Sequence, residues 1–184
     1  IATILSSVDN VIEKTRTQID KLKDLKTGMM QELLTKGIGH TEFKDSSIGR
    51  IPAEWSVQKI DSLVTKVGSG VTTRGGSEAY VSSGVPLIRS QNVYADGLRL
   101  SDVAYITIEQ HEKMASSQLK PGDVLLNITG ASIGRSYYLP DNFEEGNVNQ
   151  HVCIIRPKQK TLNSIFLSYI LSSELGQRQI MALQ

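Results

Sequence analysis

The first 36 residues constrain the fold more than any other part of the chain, because their apolar side chains recur with helical spacing and no proline interrupts them. A single helix of this length would span roughly 50 Å at 1.5 Å per residue, which is more than the width of a small domain. We therefore predict a protruding amphipathic helix that packs against a second helix. In heptad register, the predicted packing residues are Leu5, Val8, Ile12, Thr15, Ile19 and Leu22.

The apolar stripe weakens towards its C-terminal end. Lys26 falls at a heptad core position, and Gly28 costs about 1 kcal/mol relative to alanine in a helix interior. We expect the helix–helix contact to give way here to contacts with the domain that the helix carries. Gly37 and Gly39 then end the helix.

The rest of the chain predicts one domain of short strands, glycine-containing loops and a closing helix. We assign residues 1–36 to the helix, 37–50 to a polar linker and 51–184 to this domain, with Trp55 anchoring its start to the core. The final helical segment reaches Gln184 without a capping residue, so we expect the C-terminal end of the domain to be missing. The predicted fold class is α+β, with a mainly antiparallel, curled sheet.

Composition excludes several classes of protein. Twenty basic and nineteen acidic residues give a net charge of +1, which argues against a free-standing nucleic-acid binder driven by charge. No apolar run is long enough to span a membrane. The single cysteine, Cys153, cannot form an internal disulfide and is expected to be a small core residue. A reducing, cytoplasmic location fits best.

Catalytic and metal-binding motifs are missing from the sequence. The five prolines are never adjacent, so no Asn-Pro-Pro-Tyr cluster is present to hold a flipped base for methylation. No phosphate-binding GxxxxGK[ST] loop occurs. The three histidines, His40, His111 and His151, lack the spacing of a metal site. We therefore predict no catalytic residue and no metal ligand.

The remaining candidates for a functional site are polar side chains that lie at strand ends, beside glycine. Arginine suits guanine, asparagine and glutamine suit adenine, and hydroxyl groups serve bases or phosphates. Ordinary loops have a similar composition, so composition alone leaves both interpretations open. The candidate DNA-binding residues are Arg74, Arg89, Ser90, Gln91, Asn92, Asn127, Thr129, Ser132, Arg135, Gln150 and His151.

Several segments resemble the specificity (S) subunit of type I restriction-modification systems. IATILSSVDNVIEKTRTQIDKLKDLKTGMMQELLTKGIG is similar to the conserved spacer helix of that family. IGRIPAEW resembles the motif that opens a target recognition domain. VPLIRSQNV, LKPGDVLLNITGASIGRSYYLP and VNQHVCIIRP resemble successive blocks of that domain. The resemblance covers nearly the whole chain.

This resemblance implies a non-catalytic subunit for sequence-specific recognition of double-stranded DNA. In the family, each recognition domain reads one half of a bipartite target, while two antiparallel spacer helices set the half-site spacing and dock methylation (M) subunits. Restriction (R) subunits add translocation and cleavage. S-adenosylmethionine, ATP and Mg are then expected only on the partner subunits, and this chain needs no cofactor.

The sequence departs from the full family pattern, because it contains one recognition domain and one spacer helix and lacks the Pro-Pro-Leu-x-x-Gln motif usual before the helix. The second helix would come from the same full-length chain or from a second copy.

Two other classes of protein compete with the DNA-recognition hypothesis. The first is a protein-interaction module with no DNA role, which the small net charge favours and which the salt dependence of DNA affinity would distinguish. The second is a stand-alone methyltransferase, which should bind S-adenosylmethionine.

Overall fold

A computed structural model describes residues 1–183 of the chain. The chain forms two compact units. The first comprises Ile1–Val57, and the second begins at Gln58.

The first unit is built on the long helix α1, Ala2–Lys36, which confirms the helix predicted from the heptad pattern. None of its 35 residues is buried. Leu5, Ile12 and Leu22 are 59%, 43% and 64% exposed, so the apolar stripe is uncovered along its length. The Thr15 hydroxyl donates to the Val11 carbonyl oxygen within the helix, at 2.8 Å. The stripe thus remains available for another surface, as expected for a helix too long to be buried by its own unit.

The C-terminal end of α1 depends on a glycine. Gly37 has φ 67°, and its N–H donates to the Leu33 carbonyl oxygen at 3.2 Å. A Cβ at Gly37 would lie 2.6 Å from Cδ2 of His40 and 2.7 Å from Cζ2 of Trp55. These two rings pack edge to face with centroids 5.7 Å apart. Trp55 therefore packs at the helix end within the first unit, whereas we predicted that it anchors the core of the following domain.

A β-hairpin occupies much of the segment predicted to be a polar linker. Strands β1, Phe43–Ser46, and β2, Gly49–Pro52, pair antiparallel. Gly49, the first residue of β2 after the turn, adopts φ 112°, a conformation that favours glycine. Ile51 and Pro52 are buried at the end of β2. Few apolar residues mark this hairpin because it buries mainly one end of one strand, and its sequence therefore looks like that of a linker.

The second unit confirms an α+β fold with mainly antiparallel strands. A four-stranded sheet has the order β3-β11-β8-β9, a three-stranded sheet has the order β10-β4-β7, and β5 pairs with β6. Every pairing is antiparallel except that of β10 with β4. The elements of this unit are α2 Ile60–Leu63, β3 Val64–Ser69, β4 Val85–Ile88, β5 Val93–Tyr94, β6 Gly97–Leu98, β7 Ala104–Ile106, α3 Ile108–Lys113, β8 Val124–Asn127, β9 Ser136–Tyr138, β10 Asn147–Val148, β11 Val152–Pro157, α4 Ser164–Ser172 and α5 Glu174–Met181.

The two central strands of the four-stranded sheet, β11 and β8, are buried on both faces, which explains the continuous apolar run in β11. Cys153 and Ile155 point into a core shared with α4, while Val152 and Ile154 point into a second core on the opposite face. Successive side chains of a strand alternate between faces, so a sheet covered on both sides needs apolar residues at every position. Cys153 is 8% exposed, which confirms its assignment to the core.

Local structure divides three segments of this unit. The glycine-rich stretch 66–76 begins within β3, which ends at Ser69. The segment VNQHVCIIRP is divided by a turn, because β10 ends at Val148 and β11 begins at Val152. The closing helix is also divided at Ser173, whose hydroxyl accepts a hydrogen bond from the Gly176 N–H at 3.3 Å and caps α5.

Candidate nucleic-acid interface

Hydrogen bonds bring three of the predicted segments together at one end of the second unit. The Asn127 side-chain amide at the end of β8 donates to the Ser90 carbonyl oxygen, at 2.8 Å. The Asn149 N–H donates to the Ile88 carbonyl oxygen at the end of β4, at 3.1 Å. These bonds join residues that are distant in sequence into one surface, which we call the strand-end surface. It consists of the segments 89–92, 127–135 and 149–151.

Gly70 brings the end of β3 against the same region. Its N–H donates to the Val152 carbonyl oxygen at 3.1 Å. A Cβ at Gly70 would lie 1.9 Å from the Val148 carbonyl oxygen and 2.5 Å from that of Asn149. The position therefore requires glycine for steric reasons. Arg74, four residues later, is exposed and forms no hydrogen bond or ion pair with the rest of residues 1–183.

Asn92 does not fit the prediction that it reads a base. It is 1% exposed, its Oδ1 accepts from the Arg89 N–H at 3.0 Å, and its Nδ2 donates to the Arg99 carbonyl oxygen at 2.8 Å. Breaking these bonds would leave buried polar groups without partners, at a cost of about 1–3 kcal/mol each. Asn92 therefore closes the turn after β4 and keeps its amide away from any ligand.

Asn127 is likewise buried and plays a structural part. It is 0% exposed, and its Nδ2 donates to Ser90 and to the Ser132 hydroxyl oxygen, at 2.8 and 3.1 Å. Its Oδ1 is buried without a hydrogen-bond partner. Ser132 is half-buried and is engaged by this amide. The predicted role of Asn127 in base contact does not fit this geometry, which instead places it between two loops.

Arg89 and Gln91 share one acidic neighbour. Nη2 of Arg89 donates to the main-chain carbonyl of Asp102 at 3.0 Å, and Nε2 of Gln91 donates to the Asp102 carboxylate at 2.9 Å. The Arg89 guanidinium also lies 5.7 Å from the centroid of the Tyr80 ring, and its Nε is buried without a partner. Both side chains are thus held to the protein, and Gln91 is the more exposed of the two.

Arg135 has a different environment. Its guanidinium carbon lies 4.7 Å from the centroid of the Tyr94 ring, and the group makes no hydrogen bond or ion pair within residues 1–183. Stacking restrains the guanidinium while its five N–H donors remain available. Arg99 lies 4.9 Å from the same ring, but its Nη2 donates to both carboxylate oxygens of Asp96 at 2.8 Å.

The sequence-based candidate set omitted Tyr94 and Arg99. Ala95 and Asp96 form the turn between β5 and β6, and Gly97 begins β6 opposite Tyr94. An Asp-Gly pair between apolar residues is a recognised hairpin signal. This signal would have placed Tyr94 and Arg99 at opposite ends of a short hairpin. Their approach to Arg135 depends on the position of this hairpin beside the loop that precedes β9.

Thr129, Gln150 and His151 form a connected group on the strand-end surface. Oγ1 of Thr129 lies 2.6 Å from Nδ1 of His151, and Nε2 of Gln150 lies 3.0 Å from Nε2 of the same ring. Thr129 is exposed, and the other two residues are half-buried. All three were predicted as DNA-binding residues, and the structure places them in contact with one another.

Two ionisable groups of the second unit have pKa values raised mainly by burial. Desolvation raises the pKa of Tyr137, to which the neighbouring Tyr138 adds. Burial also raises the pKa of the Cys153 thiol. Both groups therefore remain neutral at pH values where their exposed counterparts begin to ionise, and neither adds negative charge to the protein near neutral pH.

The part of the chain that the structure describes contains neither a metal-binding cluster nor a membrane-spanning helix. Across residues 1–183, no three His, Cys, Asp or Glu side chains are grouped so that they could hold a metal ion. Over the same residues, no helix has the length and apolar character needed to cross a membrane. His111 instead lies with Nδ1 2.6 Å from Oδ1 of the buried Asn147.

Sequence comparison places the chain among proteins of DNA restriction. A family model described as the type I restriction modification DNA specificity domain matches residues 52–182. The type I restriction enzyme MjaVIII specificity subunit of Methanocaldococcus jannaschii is 32% identical over 184 residues, which cover 98% of this chain and 43% of the relative. The putative type I restriction enzyme MjaX specificity subunit of the same organism is 31% identical over 141 residues, covering 73% and 33%. The chain thus spans less than half the length of these relatives.

Solved structures share the fold. The HsdS subunit from Thermoanaerobacter tengcongensis matches with a TM-score of 0.59 and 16% identity, covering 97% of this chain and 40% of that one. A chain from a structure of the type I R-M system, solved to describe complex assembly and conformational transition, matches with a TM-score of 0.55, 16% identity and coverage of 97% and 42%. Because the family model spans most of its residues, the chain belongs to the type I restriction-modification DNA specificity domain family.

Proposed function

We propose that this chain is the DNA-recognition part of a type I specificity subunit, and that its strand-end surface reads one half of a bipartite double-stranded target. The observation that supports this most directly is the Arg135 guanidinium, which is restrained by Tyr94 and has all its donors available. An arginine in this state suits bidentate contact with O6 and N7 of guanine in the major groove. Family membership supports the same proposal.

The geometry divides the candidate residues other than Ser90, whose main-chain carbonyl accepts from Asn127, into three groups. Asn92, Asn127 and Ser132 hold the loops in place through their internal hydrogen bonds. Arg89 and Gln91 are held by Asp102, so they would need to exchange partners before touching DNA. The residues that we propose to contact DNA directly are Arg74, Arg135 and Gln150, while Thr129 and His151 are joined to Gln150 by hydrogen bonds.

We propose that α1 acts as the spacer helix. Its uncovered apolar stripe would pack against a second spacer helix, set the distance between half-sites and help to dock the methylation subunits. The net charge of +1 gives this chain little capacity to neutralise phosphates alone, so the partner subunits would supply much of the phosphate contact. Methylation and restriction chemistry, with S-adenosylmethionine, ATP and Mg, would then reside on the partners, and this chain would be non-catalytic.

Selection from a random double-stranded DNA library, with the methylation subunits present, tests this proposal. We expect an enriched half-site for the native chain. Arg135→Ala should weaken discrimination against the wrong base at one position of that half-site. The expected loss is about 1–3 kcal/mol, or roughly 5- to 150-fold in preference.

Arg99→Ala is the matched control. Arg99 contacts the same Tyr94 ring, but its Nη2 is bound to the Asp96 carboxylate, so the selected half-site should be unchanged. Failure of the native chain to enrich any half-site would contradict the proposal. A protein-interaction module without a DNA role is the competing function, and the small net charge favours it. Affinity for DNA that falls steeply with added salt would exclude that alternative.

A further inference from the structure

The orientation of the Gln150 amide, with Nε2 towards His151, defines the hydrogen-bonding pattern of the group formed by Thr129, His151 and Gln150. Nε2 of Gln150 can only donate, so Nε2 of the His151 ring, 3.0 Å away, must accept. The ring is then neutral, with its proton on Nδ1. Nδ1 in turn donates to Oγ1 of Thr129, at 2.6 Å. The Thr129 hydroxyl therefore fixes the ring, and the ring fixes the Gln150 amide.

The backbone that bears this group is itself fixed. The main-chain N–H of His151 donates to Oδ1 of Asn149 at 3.2 Å, and its carbonyl oxygen accepts from the Ile128 N–H at 3.1 Å. The Val152 N–H also donates to the Asn149 carbonyl oxygen, at 3.2 Å. These bonds tie the turn to the end of β8. The position of the imidazole thus follows from the fold and does not depend on a bound ligand.

The outward edge of the Gln150 amide remains unoccupied. Its Oε1 makes no hydrogen bond within residues 1–183 and is not among the buried atoms that lack a partner. Only one of the two hydrogens on Nε2 is directed to His151. The amide consequently offers an acceptor and a donor side by side, in an order that His151 sets. That pair matches the N6 amine and the N7 acceptor of adenine.

Resting on the proposed DNA-reading function, we propose that Gln150 is a specificity-determining residue that selects adenine, and that His151 and Thr129 are positioning residues that fix the orientation of its amide. A free glutamine amide can turn over and exchange its donor and acceptor. When His151 holds the amide, its donor and acceptor cannot exchange places. A reversed amide would face adenine with its acceptor against the N7 acceptor and its donor against the N6 donor. The positioning residues therefore add to selectivity by disfavouring the wrong base pair.

Selection from a random library, performed with the methylation subunits on the native chain and three variants, tests this inference. We expect the native half-site to contain a required A·T pair. Gln150→Ala should reduce discrimination at that pair by about 5- to 150-fold. Thr129→Val should reduce discrimination at the same pair and leave the other pairs unchanged, whereas Thr129→Ser, which keeps the hydroxyl, should behave as the native chain.

A measurement on the native chain makes the test independent of how the variants fold. Nitrogen NMR at about pH 8, where an ordinary histidine is neutral, should find the His151 proton on Nδ1. A proton on Nε2 would overturn the inference, because that nitrogen could then not accept from the amide.

The outcomes separate this inference from the proposed function. Unchanged selection by Gln150→Ala, with a half-site still relaxed by Arg135→Ala, would overturn the inference and leave the proposed function standing. If Gln150→Ala lost discrimination at the A·T pair while Thr129→Val selected the native half-site, the positioning roles of Thr129 and His151 would be overturned. No enriched half-site for the native chain would overturn the proposed function, and with it this inference.

Discussion

The Asn127 side chain donates a hydrogen bond to the main-chain carbonyl of Ser90, which lies 2.8 Å away and 37 residues earlier in the chain. The same nitrogen donates to the Ser132 hydroxyl oxygen. A single buried amide thus sets the relation between the turn after β4 and the loop after β8. Because both loops contribute to the strand-end surface, the shape of that surface depends on a residue that cannot itself touch DNA.

Replacement of Asn127 by Asp should destabilise the second unit. A carboxylate oxygen would then face the Ser90 carbonyl oxygen. This carbonyl would lose its hydrogen-bond donor, which should lower the free energy of unfolding by about 1–3 kcal/mol. Urea denaturation would measure this change. Ser132→Ala is the control, because it removes only the half-buried partner and should cost less. Equal stability of Asn127→Asp and the native chain would contradict the assigned role.

Gly70→Ala should distort the strand-end surface, because the new Cβ would lie 1.9 Å from the Val148 carbonyl oxygen. Overpacking against backbone costs about 1–3 kcal/mol or more, and thermal unfolding would detect the loss. Gly68→Ala, two residues earlier in β3, is a close control, since a Cβ at Gly68 meets nothing within 4 Å. The steric explanation predicts a clear difference between the two variants. Identical melting temperatures would be incompatible with it.

Asp123→Asn should destabilise the second unit at the start of β8, the end of that strand opposite Asn127. Asp123 is 0% exposed and accepts from Nε and Nη2 of Arg156 at 2.6 and 2.8 Å. These hydrogen bonds raise the pKa of Arg156. We expect the free energy of unfolding to fall by about 3 kcal/mol. This is the lower end of the range for a broken buried ion pair, because the Arg156 side chain is 22% exposed.

Guanidinium denaturation would measure the effect of Asp123→Asn. Glu109→Gln removes one member of the exposed ion pair with Lys113 and serves as the control, with no measurable change expected. If Asp123→Asn lost no more stability than Glu109→Gln, the buried ion pair would make no net contribution to the stability of the fold.

Cys153 should react slowly with iodoacetamide in the folded protein. Burial raises the pKa of its thiol, so less of the reactive thiolate is present at any given pH, and the side chain is only 8% exposed. Alkylation followed by mass spectrometry should show fast modification in urea and slow modification without it. The raised pKa also means that stability falls as the pH rises above the ordinary pKa of cysteine, because the unfolded chain then ionises first. Equal alkylation rates in both conditions would contradict burial of the thiol.

Lengthening α1 should change the spacing between half-sites if the helix acts as a spacer. Seven residues inserted near Thr15 keep the heptad register and add about 10 Å of helix, equivalent to roughly 3 base pairs of DNA. Library selection with the assembled complex should then show a spacer about 3 base pairs longer between unchanged half-sites. An insertion of the same length after Asp141, in an exposed loop, should leave the spacing unchanged. Unaltered spacing in the helix variant would contradict the spacer role.

The sequence by itself determined the features that depend on short-range periodicity and on recognisable motifs. The heptad pattern predicts the long helix, which the structure places at Ala2–Lys36. The resemblance of several segments also led to the correct family. These signals are readable because their interacting residues lie within one or two helical turns, or one strand, of each other.

Only the tertiary structure decided which polar side chains face outward. Asn92 and Asn127 are as polar as Gln150, yet they are buried and engaged by backbone groups, because strand pairing brings distant loops into contact with them. The same long-range packing brings Arg135 to Tyr94, and Thr129 to His151. Local sequence patterns do not specify contacts across dozens of residues, since these follow from the arrangement of whole strands. The sequence alone therefore named a set of candidates, and the fold divided that set into residues that hold the surface together and residues free to bind.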